Sequence, residues 1–405
     1  MQYRSVSRAT HAAIAVALAS GLAISVAQAE DDPVRMGIML GFTGPIESLT
    51  PGMAGGAEIA VNEVNASGKL LGGRVVEVTR ADSTCVDSGA ATAAAERLVT
   101  SDRIDVLMGS DCSGVTTAVA SNVAVPNGLP MISPSATAPA LSELKDNGYF
   151  FRTVPSDARQ GQILAEVLRE RGVEEVAVSY TNNDYGKGFA DAFAAAFEAA
   201  GGKVAISAAH EDGKADYTAE VAALSAAGAE DLVVLGYVDQ GGKGIIQASI
   251  DTDAFTNFYG GDGMVGSSLV AALGEDIEGF VTTLAGVEED GDSPFPALVE
   301  EAGFEAGGPY IGESYDAAAL LLLGIQKAGG TDGEAVRDAI MELANAPGEP
   351  IHAGELDKAL QIIADGGDID YVGVTNVEMN EAGETAGAYK VLEVKDGEQV
   401  VVEYR

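Results

Sequence analysis

The chain has 405 residues, with 62 Asp and Glu against 23 Lys and Arg, a formal charge of −39, no Trp and two cysteines. That length suits about two domains, and so large an excess of acid repels nucleic acid and anionic lipid, which removes both as expected partners. The acids are spread along the chain, as on a surface kept soluble by charge.

In chain order, the first segment is not part of the fold. It opens on the basic "MQYRSVSR", continues through the apolar "AAIAVALASGLAISV" and closes on "AQA" at Ala29. This order reads as a secretory signal peptide covering residues 1–29, with the mature chain starting near Glu30 and a periplasmic destination. Without Arg4 and Arg8 of that segment, the remainder carries −41. No later run reaches the roughly 18 apolar residues of a spanning helix. No cysteine lies near the cleavage site to take a lipid. In an exported chain the pair Cys85 and Cys112 favours a disulfide over two free thiols. It would close a loop of about 27 residues, worth roughly 3 kcal/mol in the chain-entropy model.

The mature chain alternates. "VRMGIML" reads as a buried strand, "GGAEIAVNEVNAS" as an amphipathic helix, "RVVEVTRAD" as a strand and "GAATAAAERLVTS" as a helix. "IDVLMG", "GVTTAVASNVAV" and "LPMIS" continue as strand, helix and short strand, and a helical pattern starts just after "PSATAP". This rhythm predicts a parallel sheet with helices on both faces. It restarts near "YFFRTVPSD", where Pro155 marks a crossing. "QGQILAEVLRERG", "FADAFAAAFEAAG", "YTAEVAALSAAG" and "GKGIIQASI" are helices between the strands "EEVAVSYTN", "KVAISAAH", "EDLVVLGY" and "FTNFYGGDG". Two strong helices follow, in "SYDAAALLLLGIQKAGG" and "GEAVRDAIMELANA", and "AYKVLEVKDG" with "EQVVVEYR" reads as a terminal hairpin. The fold class is α/β, with two doubly wound domains facing across a cleft.

In open α/β sheets ligands sit beyond the carboxyl ends of strands, so the loops after strands carry the chemistry. In the first half these are "SDCSGVTT" and "PSATAP", rich in hydroxyls. In the second they are "NDYGKG", "YVDQGG" and "GDGMVG", which offer Tyr185, Tyr237, Asp239 and Asp262. Ser113 and Thr137 stand at predicted helix starts, where unpaired N–H groups and hydroxyls can hold a carboxylate without a basic side chain, or simply cap the helix. Asp262 can pair with an ammonium or stay a solvated loop acid. Tyr185 and Tyr237 can close over an apolar ligand or pack in the core.

Other chemistries lack their residues. "GDGMVG" matches G-x-G-x-x-G, but it comes late and no acid ends a second strand about 20 residues on, so no dinucleotide site is expected. There is no Walker A sequence and no G-x-S-x-G. His210 and His352 fall on no strand-exit loop of the cleft, and His and Cys are too sparse for zinc. The expectation is a binder rather than an enzyme, without cofactor or metal.

Read together, "VRMGIMLGFTGP", "GAEIAVNEVNASGKLLGGRVVEV", "CSGVTTAVA", "LPMISPSATAPAL", "NDYGKGFADAF", "GYVDQGG", "ESYDAAALLLLGI" and "DIDYVGVTNVEMNEAGE" resemble, in order, the periplasmic leucine/isoleucine/valine-binding proteins of amino-acid ABC importers. The resemblance implies a type I periplasmic binding fold of two lobes joined by three crossings. Residues 30–153 and 284–374 would form lobe 1, and residues 154–283 and 375–405 lobe 2. It implies that Ser113 and Thr137 hold an α-carboxylate, that the Ser135 carbonyl and Asp262 hold the α-ammonium beside Ala136, that Tyr185 and Tyr237 cover the ligand, and that Tyr315 lies near the hinge. It also places a disulfide at Cys85 and Cys112. Many relatives have Glu where this chain has Asp262, and that shorter reach allows a bridging water or a different ligand. The turn "GPIESLTPG" supplies Leu49 as an apolar wall, with Glu47 facing the ligand or, more simply, solvent. The implied partners are an amino-acid ligand and an importer permease, and the implied state is a monomer. The alternatives are another solute, such as an amide, urea or small carboxylate, or a sensor role.

Overall fold

The computed structural model describes residues 32–288, 291 and 293–405. The signal-peptide reading of residues 1–29 lies outside them. The first sheet is parallel, in the order β2-β1-β3-β4-β5, with β1 Val34–Leu40, β2 Val76–Asp82, β3 Val106–Gly109, β4 Met131–Ser133 and β5 Phe150–Arg152. The second contains β6 Glu175–Thr181, β7 Lys203–His210, β8 Asp231–Leu235, β9 Asn257–Gly260 and β10 Val281–Ala285. A small parallel pair follows, β11 Glu349–His352 and β12 Ile369–Gly373, and then β13 Tyr389–Lys395 and β14 Glu398–Tyr404. The second sheet runs β14-β13-β10-β9-β8-β6-β7, parallel from β10 through β7 and antiparallel where the terminal hairpin joins β10.

Local sequence explains the elements. "VRMGIML" is apolar at consecutive positions because β1 is central in its sheet and all but Arg35 are buried. The helix Thr50–Ser67 starts with Pro51 in its first turn and ends at Gly68 in a left-handed conformation. Ser156 caps the helix Asp157–Glu170 by accepting from the Ala158 N–H, and Asn183 caps the helix Asp184–Ala199 by accepting from the Gly186 N–H.

The late helix Ile311–Ala328 returns the chain to the first sheet. Leu320, Leu321, Leu322 and Leu323 are all fully buried, because this helix packs on the helix Thr50–Ser67 and against β3 and β4. The approach is so close that a Cβ on Gly56 would lie 2.2 Å from the Ile311 carbonyl oxygen. A helix from late in the chain thus packs on the first sheet. Cys85 and Cys112 form a disulfide joining the loops that follow β2 and β3.

Several sequence expectations change in detail. β10, β11 and β12 had not been read as strands. β10 keeps Leu284 and Ala285 paired to Lys390 and Tyr389, two residues past the expected limit at 283. After "PSATAP" there is a short 3-10 turn, Pro139–Glu143, rather than a regular helix. Among the described residues no helix is long and apolar enough to cross a membrane, and no group of His, Cys, Asp and Glu is arranged to hold a metal.

Candidate functional site

Strand ends from both sheets converge on one small cavity, about 310 Å³ when the space open to solvent is counted. Ile46 and Leu49 come from the loop after β1, Asp111 and Ser113 from the loop after β3, and Ser135 from the loop after β4. Across from them stand Tyr185 after β6, Tyr237 after β8, and Asp262 with Gly263 after β9. Tyr310, just before the helix Ile311–Ala328, completes the lining.

The first-lobe wall is tied together by buried polar groups. Asp111 is 1 % exposed and accepts from the Gly41 N–H (2.6 Å) and the Ser83 hydroxyl (2.8 Å), joining the ends of β1, β2 and β3. Burial raises its pKa against those hydrogen bonds. Ser133 accepts from the Ala136 N–H (3.0 Å), Ser135 donates to the Asp111 carbonyl (3.0 Å), and Ser113 accepts from the Ala138 N–H (3.1 Å). The Ser113 hydroxyl, expected as a carboxylate donor, therefore shapes residues 135–138. Arg152, 1 % exposed, donates to the Ala136 and Ala138 carbonyls (3.0 and 3.2 Å), to the Ser142 hydroxyl (2.8 Å) and to Glu384 (2.9 Å from Nε).

The opposite wall is aromatic and acidic. Tyr185 stacks on Tyr237 with centroids 5.2 Å apart, and Asn183 donates to the Tyr237 hydroxyl (3.2 Å). Asp262, 2 % exposed, accepts from the Tyr185 hydroxyl (2.8 Å) and from the Tyr310 hydroxyl. A Cβ on Gly263 would meet the Gly236 carbonyl at 2.5 Å, so only glycine lets this loop close on the wall. Burial raises the Asp262 pKa, opposed first by the Tyr310 and then by the Tyr185 hydrogen bond.

A second acid stands behind the cavity. Asp157 is fully buried in the first turn of its helix, and neither carboxylate oxygen has a hydrogen-bond partner. Its N–H donates to the Thr137 carbonyl (2.9 Å), while the Thr137 hydroxyl is buried and also without a partner. That hydroxyl lies close enough to lower the Asp157 pKa, although no hydrogen bond of regular geometry joins the two. Burial first, and the charge of Asp262 second, push Asp157 well above its ordinary value. No cation lines the cavity, and Arg152, whose charge reaches Asp157, is engaged elsewhere. Two buried acids that repel one another, only Asp262 of them lining the cavity, would be favoured by a positive charge placed beside them.

Of the residues singled out in the sequence, Leu49, Ser113, Ser135, Tyr185, Tyr237 and Asp262 line this cavity. Ala136 and Thr137, next along the chain, are buried and do not line it. Tyr315 does not line it either. Its hydroxyl donates to Glu63 (2.7 Å) and accepts from the Gly354 N–H (3.0 Å), and its ring packs edge-on against Phe295. Tyr310 precedes the helix in a left-handed conformation (φ 61°) and lines the cavity, whereas Tyr315, inside the helix, is turned to Glu63 and Phe295. Glu47 is exposed. His210 is buried at the end of β7 against Ser179 (2.9 Å), with burial lowering its pKa to about 4, and lies outside the cavity lining. Asp157, Tyr310, Ile46 and Asp111 were missed. "VPSDARQ" looks like an ordinary helix cap, and only burial without a partner sets Asp157 apart.

The lobes meet over the cavity. The Ser48 N–H donates to the Asp239 carboxylate (2.9 Å), the Asp239 N–H donates to the Pro45 carbonyl (3.1 Å), and Ser268 donates to Asp239 (2.7 Å). The bonds of Ser48 and Pro45 to Asp239 join the loops after β1 and β8, while that of Ser268 steadies Asp239 from its own side.

Residues 33–356 match the model of a periplasmic binding protein family. A leucine-, isoleucine-, valine-, threonine- and alanine-binding protein of Pseudomonas aeruginosa is 30% identical over 317 residues, covering 76% of this chain and 82% of that protein. The solved structure of a leucine-binding protein from Thermotoga maritima superposes with a TM-score of 0.75 at 23% identity, covering 92% of this chain and 98% of that one. A solute-binding protein of an R. palustris ABC transporter, in complex with benzoate, gives 0.75 at 20% identity over 92% of this chain and 96% of that one. The two-lobed α/β architecture, the strand-end cleft and these similarities agree: this chain belongs to the periplasmic binding protein family, among the Leu/Ile/Val-binding proteins, a family of extracytoplasmic solute binders.

Proposed function

We propose that the protein captures an α-amino acid with an apolar side chain between its lobes and delivers it to the permease of an ABC importer. The observation that carries this reading is the pair of buried acids, Asp157 and Asp262, beside unpartnered Thr137 in a cavity without a lining cation. In the proposed pose the α-ammonium lies toward the two acids, the α-carboxylate takes the hydroxyls of Ser113 and Thr137, and Ile46 and Leu49 face the side chain. The Pseudomonas relative's five named ligands are amino acids with small or aliphatic side chains, which supports the same class here. The chain acts as a monomeric binder and not as an enzyme, exported by cleavage near Ala29. Its lobes divide near residues 153, 285 and 374.

A second reading has a specific support, since the benzoate complex shows this fold around an acid without an α-ammonium. A thermal-shift screen separates the two, using protein unfolded and refolded to remove carried-over ligand. Leucine, isoleucine or valine at about 100 times the dissociation constant is expected to add roughly 2.7 kcal/mol of stability. A shift with benzoate or amides, and none with any amino acid, would sink the amino-acid assignment.

The contacts of Asp239 add a prediction of their own. Asp239→Ala removes acceptors used by Ser48 and Ser268 without touching the cavity lining. It is expected to weaken ligand binding by about tenfold, the equivalent of about 1.4 kcal/mol, and to enlarge the radius of gyration by X-ray scattering at subsaturating ligand. Unchanged affinity and scattering would show that these contacts do not hold the closed state.

A further inference from the structure

A second and larger cavity lies at the hinge, holding about 1670 Å³ of space open to solvent. It is walled by the chain leaving β10, by the chain leaving β12 and by the start of the helix Ile311–Ala328, so it touches two segments that run between the sheets. Tyr310 lines both cavities and bonds Asp262 from between them.

The acid in this second cavity is Glu313. It is 5 % exposed, its carboxyl group receives only its own backbone N–H, and Lys390 acts on it through charge alone. Burial pushes its pKa up to about 7. The neighbouring walls are apolar, from Phe295, Ile311 and Val374. Among the described residues that line the space, the other ionisable groups are Glu288, Glu355, His352 and Lys390. Glu288 is exposed, and Glu355 is engaged by the His352 N–H (2.9 Å) and by Lys358 (3.4 Å), which leaves Glu313 as the buried acid among the described lining residues.

We propose that the hinge cavity is a second binding site, for a small organic amine with an apolar body: the ammonium seats on Glu313 and the hydrocarbon lies against Phe295, Ile311 and Val374. The site is independent of which solute the cleft takes. Because its walls include both β10 and the first-lobe helix, an occupant acts on the lobe arrangement. Because it shares Tyr310 with Asp262, its occupancy and that of the cleft change each other's affinity by the same factor.

The test is calorimetric titration with phenethylamine, and with its neutral isostere 2-phenylethanol, of the wild-type chain and of the Glu313→Gln and Asp262→Asn variants. The expected result is that phenethylamine binds the wild type and Asp262→Asn, that 2-phenylethanol does not bind, and that Glu313→Gln weakens the amine by about tenfold or more. The comparison of amine with alcohol on the wild type needs no variant to fold. Equal binding of amine and alcohol, or an amine affinity untouched by Glu313→Gln, overturns the proposal. Binding lost in Asp262→Asn but kept in Glu313→Gln puts the amine in the cleft and overturns it equally. So does the absence of any heat with the amine at about 10 mM, ten times a millimolar dissociation constant.

Discussion

Asp157→Asn is expected to make the ligand-free protein more stable and its amino-acid complex weaker. Asp157 is fully buried, neither oxygen is hydrogen-bonded, and Asp262 repels it. An uncompensated buried charge costs free energy that a neutral amide of the same shape largely removes. The gain is about 1–3 kcal/mol, the range for an unsatisfied buried polar group. In the proposed pose the same change removes one of the two acids toward which the ammonium lies. A hydrogen bond to a charged group contributes about 1.5–3 kcal/mol, so affinity for leucine is expected to fall roughly 10- to 100-fold.

The pH dependence has a defined sign. Burial and Asp262 raise the folded-state pKa of Asp157 above the unfolded value of 3.8. A raised carboxyl contributes stability that is fully present below 3.8 and is lost as pH rises through the folded value. The stabilisation by Asn is therefore expected to be small in acid and larger at neutral and alkaline pH, and the ligand-induced thermal shift of the wild type should grow in the same direction. Denaturant melts of both forms, with and without leucine, across that range test this. A variant less stable than the wild type at pH 8, or one with unchanged leucine affinity, would mean that the acid is structural and not a seat for the ligand.

Arg152→Met is expected to be severe in the opposite sense. Arg152 is 1 % exposed and donates to Ala136, Ala138, Ser142 and Glu384. It holds the loop carrying Ser135 and Thr137, and it ties that loop to Glu384, in the segment leading to β13. Glu384 is half-buried; desolvation raises its pKa, but the charge and hydrogen bonds of Arg152 outweigh that and leave it lowered. Methionine keeps the apolar volume and abandons both a carboxylate and two carbonyls, which is expected to cost about 3–5 kcal/mol. Adding Glu384→Gln removes the orphaned charge and is expected to recover part of the loss, so the double variant will be more stable than the sum of the single changes allows. Stability losses that simply add would show that the pair is not coupled. Leucine affinity of the folded fraction should also fall, since Arg152 positions residues 135–138 without lining the cavity.

The alternation of strands and helices was legible because apolar periodicity is a local property. "VRMGIML" and "IDVLMG" are continuous apolar runs, as strands covered on both faces must be. The rule that ligands sit at the carboxyl ends of parallel strands then pointed to the loops carrying Ser113, Ser135, Tyr185, Tyr237 and Asp262, and these residues do share one cavity. β11 and β12 were not legible, since their short segments carry no clear alternation and pair only with each other.

Other features depend on which distant groups meet. Asp157 reads as a helix-cap acid until Asp262, 105 residues later, is folded toward it in the same buried region. Tyr310 and Tyr315 stand five residues apart, and only the left-handed turn at Tyr310 and the packing of the helix that follows it decide which one reaches the cavity. The roles of Arg152 and Glu313 were likewise invisible, because whether a charge is buried, and what answers it, is set by neighbours far along the chain. By itself the sequence determined the layered α/β architecture, the disulfide pair and the strand-end loops, all of which follow from local pattern and composition. The tertiary structure alone decided which charges are left without partners, because the electrostatic cost of an unpaired acid exists only once folding has taken water away from it.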